Sequence, residues 1–318
     1  MKPRALYYSM LQYQAGNRAL IDRLFEVVEL PDPRADTDEV LAGIEVLFAP
    51  LGFPVDGAKM NRCPSLRAIV SNTTGVPHID MPAAAQRGIA VCALHDEQAF
   101  LSRITPTAEH TIGLLIAAWR RIPWAHAAAS AGRWDRRPWG APRMLSRMTL
   151  GIVGYGRLGR MVNRAAAGLG MCVRWYDPHQ RGGVADLMAL ARVSDVLTLH
   201  APATAQTRNL VSRAVLAALP KGAVVINTAR GELLDADALI DLLESGHLAA
   251  AALDTVEGEY DPDFAGHFAD SRIARYARSH DNLLLTPHIG GSTHDAWEET
   301  EHRAIRKACV ALGIRGID

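Results

Sequence analysis

The chain has 318 residues, 49% of them hydrophobic, with 34 basic against 34 acidic side chains, enough for two domains with cores of their own. That balance recruits neither nucleic acid nor a membrane, and no apolar run reaches the ~18 residues of a membrane span. The four cysteines, Cys63, Cys92, Cys172 and Cys309, are far apart and form no CxxC, so they read as core thiols of a reduced, cytoplasmic protein and offer no metal-ligand spacing.

Short apolar runs alternate with amphipathic stretches, the pattern of parallel sheets covered by helices, so the class is α/β. The first hundred residues supply the strand-like runs ALYYSM, VLFAP, LRAIVSN and IAVCAL. From Pro106, PTAEHTIGLLIAAWRRI reads as a long helix leaving one domain, and AAASAGRWDRRPWGAPRMLSRM as an arm before the next. The tryptophans Trp119, Trp124, Trp134 and Trp139 belong either to a dimer surface or to a pocket lining. The runs LGIVG, CVRWYD, VLTLHAP, AVVINTA, AAALDTV and NLLLTPH follow, and HDAWEETEHRAIRKACVALGI is a helix returning to the first domain.

The sharpest local signal is LGIVGYGRLGRMVNRAAAGLGMCVRWYDPH, a strand, a glycine loop, a helix and a second strand ending in a carboxylate. Gly154 allows the tight turn, Gly156 the approach of a pyrophosphate, and Gly159 close helix-to-strand packing. Asp177 lies 18 residues after Gly159, near the spacing of a carboxylate that accepts ribose hydroxyls, which points to NAD. The 2′-phosphate of NADP would face that carboxylate unless a base such as Arg181 intervened.

NTARGELLDADAL, AALDTVEGE and LLLTPHIGGSTHDAW then follow in order, and from about Leu66 to Trp297 the chain resembles the D-isomer-specific 2-hydroxyacid dehydrogenases. LRAIVSNTTGVPHIDMPAAAQRGIAV looks like that family's substrate-side glycine turn, and HAPATAQTRNL its segment under the adenine. The resemblance implies two Rossmann-like domains: a doubly wound parallel-sheet NAD domain, residues 104–297, inserted into a flavodoxin-like substrate domain of residues 1–103 and 298–318. It implies a homodimer with NAD as cofactor and a small 2-keto or 2-hydroxy acid as substrate. Cofactor contacts are implied at Gly154, Tyr155, Gly156, Arg157, Leu158, Gly159 and Asp177; at His200, Ala201, Pro202 and Thr207; at Thr228 and Ala229; and at Asp254 and Gly290. Leu51, Gly52, Thr74 and Gly75 are the implied substrate contacts.

Oxidising a 2-hydroxy acid requires a base for the hydroxyl proton and a cation for the carboxylate, with a nicotinamide held against C2. His288 suits the first role, since an imidazole accepts and returns a proton near neutral pH, and Arg230 the second, since a guanidinium holds a carboxylate bidentately. Glu259 is expected at the far nitrogen of His288, with Glu257 as the alternative in VEGE. These three match the family's Arg, Glu and His. His110 is expected to be a packed or interdomain histidine and His200 a structural one at a strand end. Two features depart from the family: an apparent extra helix around Phe264 to Ala277, covering a cleft or extending an interface, and Thr74 where phosphite-oxidising relatives resemble one another in having lysine. The rival reading is an NAD(H)-sensing corepressor or scaffold of the same fold.

Overall fold

The structure, a computed structural model, describes residues 2–261 and 263–316, so Met1, Pro262, Ile317 and Asp318, which fall within the expected domain spans, lie outside the described residues. The chain divides into two units, one running to Ile104 and resuming at Ser292, the other Thr105–Gly291. The second stretch of the first unit holds the terminal helix His294–Leu312, its first turn capped by Thr293, whose hydroxyl accepts from the amide of Ala296.

In the first unit, β1 (Arg4–Tyr8), β2 (Glu26–Leu30), β3 (Val46–Phe48), β4 (Ala68–Val70) and β5 (Ala90–Cys92) form a parallel sheet in the order β2-β1-β3-β4-β5, the flavodoxin-like order. Ala5 lies beside Val46 and Val46 beside Ala68, so the central strands are buried on both faces. The strand β2, EVVEL, is absent from the apolar runs read in the sequence, because as an edge strand it keeps Glu26 and Glu29 exposed. The terminal helix covers one face with Ala304, Ile305, Ala308 and Cys309.

The second unit holds β6 (Thr149–Val153), β7 (Cys172–Tyr176), β8 (Val196–Leu199), β9 (Ala223–Asn227), β10 (Leu248–Leu253) and β11 (Leu283–Leu285), all parallel, in the order β11-β10-β9-β8-β6-β7. Strand order reverses at β6, which places a crevice beyond its carboxyl end, where open α/β sheets bind ligands. Helices start where side chains can take up the first free amides: Asp186, Asp235 and Ser271 each accept from the amide three residues on.

The helix that begins at Pro106 ends at Trp119, and Arg121, with φ of +52°, turns the chain into a second helix, Ile122–Ser130. Ala108, Leu114, Leu115 and Ala118 pack on the sheet of the second unit, so the helix is one of its layers. The arm is tied to the same unit by Trp119, which donates to the carbonyl of Arg143, and by Arg143, 2.8 Å from Asp195.

The expected extra helix is two, Phe264–Phe268 and Arg272–Ser279, because the Ser271 hydroxyl caps a new first turn. Ile273 and Tyr276 enter the core, and Arg272 pairs with Asp237 and Asp241 of the neighbouring helix Ala236–Glu244. This segment is thus part of the second unit's own outer layer. Cys63, Cys92 and Cys309 are buried, and burial pushes each thiol up to about 11. Cys172 departs from the expected core placement: it opens β7 and is exposed.

Candidate active site

At the end of β6 the chain turns at Gly154, whose φ of +89° is a conformation glycine adopts without strain. A Cβ there would stand 2.7 Å from the amide nitrogen of Ala201 and 2.8 Å from the carbonyl of His200, so the loop after β8 packs straight onto the glycine turn. A side chain on Gly159, in the first turn of the helix Arg157–Gly168, would strike the carbonyl of Gly154. Gly156 is different. It precedes that helix, and a Cβ on it would meet nothing within 4 Å. Open space before free helical amides is where a pyrophosphate is favoured.

Asp177 follows β7 and is held by two amides, Tyr155 N–H to Oδ2 and His179 N–H to Oδ1, each at 2.8 Å. Each oxygen retains accepting capacity, so the carboxylate is fixed in place and able to receive ribose hydroxyls. The Tyr155 amide is thereby turned to Asp177, and its ring stacks on Trp175 with centroids 4.2 Å apart, while Leu158 packs into the core. Arg157 is half-buried, which lowers its guanidinium from the ordinary value. Open cradle, helix terminus and anchored carboxylate together fit a dinucleotide.

Beyond β8, the His200 Nε2 lies 3.0 Å from the Thr198 hydroxyl, its Nδ1 is buried without a partner among the described residues, and burial pushes the imidazole down to about 4. Thr207 closes its own loop, donating to the carbonyl of Pro202 at 2.7 Å and accepting from the Thr204 amide at 2.8 Å. Beyond β9, the fully buried Asn227 donates to the carbonyl of Arg230 and accepts from the amide of Ala229, stapling the turn that presents Arg230. Thr228 donates to Thr111, whose own proton goes to the carbonyl of Thr107. The Arg230 guanidinium donates to the carbonyl of Ala229 at 2.6 Å, its remaining donors without a protein acceptor among the described residues. Gly231 next to it has no room for a side chain, since the backbone of Val256 and Glu257 lies against it.

Asp254, 2% exposed, organises the loop after β11. Its Oδ1 accepts from the Thr286 hydroxyl at 2.6 Å and the Ile289 amide at 2.9 Å, and its Oδ2 from the Gly290 amide at 2.8 Å. His110 stands 3.0 Å from Thr286 Oγ1 and 3.2 Å from Asp254, a packed histidine of this network.

That loop carries His288 with φ of +52°, a left-handed conformation costly for a residue with a side chain, held by its backbone N–H, which donates to the carbonyls of Asp254 and Thr286. Glu259 Oε1 is 2.9 Å from His288 Nδ1, with the carboxylate 12% and the imidazole 32% exposed. Glu257 instead pairs with Arg208 on the surface. A residue missed in the sequence joins them: the Tyr260 hydroxyl is 3.1 Å from the same Nδ1. Its one sequence signal is adjacency to Glu259 between Gly258 and Asp261. A phenol has too many ordinary core roles for adjacency alone to single it out.

The expected substrate contacts lie in the first unit, on the turns after β3 and β4. Gly52 has φ of +90°, and Thr74 and Gly75 are exposed. Thr73 shapes that second turn, donating to the carbonyl of Gly75 at 2.7 Å, and Ser71 lies 2.9 Å from Thr73 and 3.4 Å from the buried His78.

A parallel sheet with a bare glycine cradle, an anchored carboxylate and a histidine paired with a glutamate defines a dinucleotide-dependent oxidoreductase. Residues 112–290 match the model of the D-isomer specific 2-hydroxyacid dehydrogenase NAD binding domain. The chain belongs to the D-isomer specific 2-hydroxyacid dehydrogenase family, and the cofactor of that domain is NAD. It is 34% identical to D-3-phosphoglycerate dehydrogenase of Methanocaldococcus jannaschii over 81% of this chain, and spans about half, 48%, of that protein's length. It is 31% identical to glyoxylate reductase of Thermofilum pendens (90% of this chain, 84% of the relative) and 30% to hydroxypyruvate reductase of Thermotoga maritima (91% and 92%). Among solved structures, the TT0316 protein of Thermus thermophilus superposes with a TM-score of 0.81 at 29% identity, covering 98% of this chain and 97% of that one. A D-lactate dehydrogenase of Aquifex aeolicus complexed with NAD and lactic acid shares the fold, with a TM-score of 0.81 at 23% identity over 98% and 96%.

Among the described residues no helix is long and apolar enough to cross a membrane, and no group of three or more His, Cys, Asp or Glu is placed to hold a metal ion.

Proposed function

We propose that the protein interconverts a 2-keto acid and a D-2-hydroxy acid with NAD(H), using His288 as acid and base, Glu259 to orient it and Arg230 to bind the substrate carboxylate. The observation that carries this reading is the 2.9 Å contact between Glu259 Oε1 and His288 Nδ1 in the unit that also holds the open glycine cradle. An ionised carboxylate only accepts, so Nδ1 carries the proton and Nε2 is left to exchange one with the substrate. In reduction Nε2 protonates the keto oxygen; in oxidation it removes the hydroxyl proton, and Glu259 balances the imidazolium in both directions. Arg230 presents a planar fork suited to a carboxylate, steadied through Asn227. Glycine amides near Gly156, the Asp177 carboxylate and the loops at His200–Pro202, Thr228–Ala229 and Gly290 would hold the cofactor, which when bound exchanges hydride with C2. The family resemblance adds Leu51, Gly52, Thr74 and Gly75 of the first unit as further candidates for binding the acid.

The relatives named glyoxylate and hydroxypyruvate reductases support a short keto acid. Following NADH consumption with glyoxylate, hydroxypyruvate, pyruvate, phenylpyruvate and 3-phosphohydroxypyruvate tests it, with chiral chromatography of the product. Turnover of at least one to a D isomer is expected where the product is chiral; no turnover of any, or an L product, overturns it. The same reading makes the protein a cytoplasmic homodimer. Trp134 (93% exposed) and Met144 (56%) are large apolar side chains left exposed on the arm, as is Ile122 (49%) on the helix before it, and such surface suits a self-complementary interface. Sedimentation should give twice the chain mass, and Trp134→Lys should shift it towards the monomer.

A further inference from the structure

Glu259 and Tyr260 are the two central residues of a tight turn: the Asp261 amide donates to the carbonyl of Gly258 at 2.8 Å, and Gly258 has φ of +78°, which a residue with a side chain rarely adopts. From this turn both side chains reach His288 Nδ1, Glu259 at 2.9 Å and Tyr260 at 3.1 Å. One nitrogen carries one proton. Since Glu259 as a carboxylate must accept it, the phenol cannot donate to Nδ1 and its oxygen becomes a second, neutral acceptor for the same N–H. Burial pushes the phenol up to about 12, against the opposing pull of the Arg230 charge and with Glu259, Glu232 and Asp254 adding to the rise, so it remains neutral throughout the working range. Its place is secured from beyond the turn, because the following helices are fastened to the second unit through Ile273, Tyr276 and Arg272.

We propose that Tyr260 is a positioning residue for the reaction: with Glu259 it forms a two-armed clamp that keeps the proton on His288 Nδ1 and aims Nε2 at the substrate oxygen. This rests on the keto-acid reductase reading above. A carboxylate alone fixes one N···O vector and leaves the ring to swing about it. A second acceptor at the same nitrogen narrows the swing, and a misaimed nitrogen slows proton transfer steeply.

The test is Tyr260→Phe in the full chain, with the keto acid that the wild type turns over best. We expect kcat to fall about five- to tenfold with the KM for NADH within twofold, and the solvent deuterium isotope effect on kcat to rise as proton transfer becomes more limiting. Tyr260→Gln, which retains an acceptor, should recover part of kcat, and stands in should the phenylalanine variant fail to fold. Unchanged kcat and isotope effect in Tyr260→Phe, or a loss confined to the KM for NADH, would overturn the clamp while leaving the reductase reading intact. Failure of the reductase reading itself shows differently, as a wild type that turns over none of the keto acids.

Discussion

Glu259 Oε1 lies 2.9 Å from His288 Nδ1, whereas Glu257, two residues earlier on the same loop, is turned outward to Arg208. Glu259→Gln removes the negative charge beside the imidazolium and leaves a weaker acceptor. Keto-acid kcat should therefore fall by about 10- to 100-fold, at or below the lower end of what a positioned acid or base contributes. Glu257→Gln loses an exposed pair worth about 0–1 kcal/mol and should leave kcat within about twofold. Steady-state kinetics of the two variants decide it; equal losses would remove Glu259 from the relay.

The glycines of the cradle should separate by their surroundings. Gly156→Val places a side chain in open space, so the melting temperature should hold while NADH binding, followed by fluorescence titration, weakens by at least tenfold. Gly231→Ala drives a methyl into the backbone of Val256 and Glu257, in the loop that leads to Glu259, and should lower both the melting temperature and kcat. A stable Gly156→Val variant with undiminished NADH affinity would place the pyrophosphate elsewhere.

Anchored by two amides, Asp177 cannot swing away from a 2′-phosphate. The catalytic efficiency with NADH should exceed that with NADPH by one to two orders of magnitude, about 1–3 kcal/mol. Equal efficiencies would overturn this.

Arg230→Lys keeps the charge and loses the planar fork. Keto-acid turnover should drop by about 10²-fold at subsaturating acid while the Kd for NADH stays within about twofold. A matching loss of NADH affinity would move Arg230 from the substrate to the cofactor.

Acid should destabilise the protein in a defined window. Burial lowers both His78 and His200 from 6.5 to about 4. The unfolded chain then binds protons that the folded one refuses, so the stability from these neutral rings is complete above about 6.5 and is lost as pH falls towards 4. The loss is on the order of 3 kcal/mol for each ring across the full window. Melting temperatures from pH 7.5 to 4.5 should show it, and His200→Asn should flatten part of the slope; an unaltered slope would mean that His200 charges freely in the fold.

The α/β class, the parallel strands and the glycine cradle are legible in the sequence, because strand periodicity and bare backbone at a turn are local properties. Glu259 and His288 are candidates there by their chemistry and the family resemblance, and the fold brings them within 2.9 Å. The edge strand β2 is not, since two glutamates on a half-exposed strand erase the apolar signal. Nor is the break at Ser271, where a capping hydroxyl overrides a continuous helical pattern. Choosing between Glu257 and Glu259 needed the tertiary structure: both sit in one loop with the same chemistry, and only the close packing of Gly231 on Val256 and the turn at Gly258 decide which carboxylate faces inward. Tyr260 and Asp254 make the same point. Sequence placed Asp254 near a strand end, but its grip on the amides of Ile289 and Gly290 and on Thr286 depends on strands β10 and β11 lying side by side. A hydrogen bond between residues some thirty positions apart is set by sheet order and register, which local patterns do not encode.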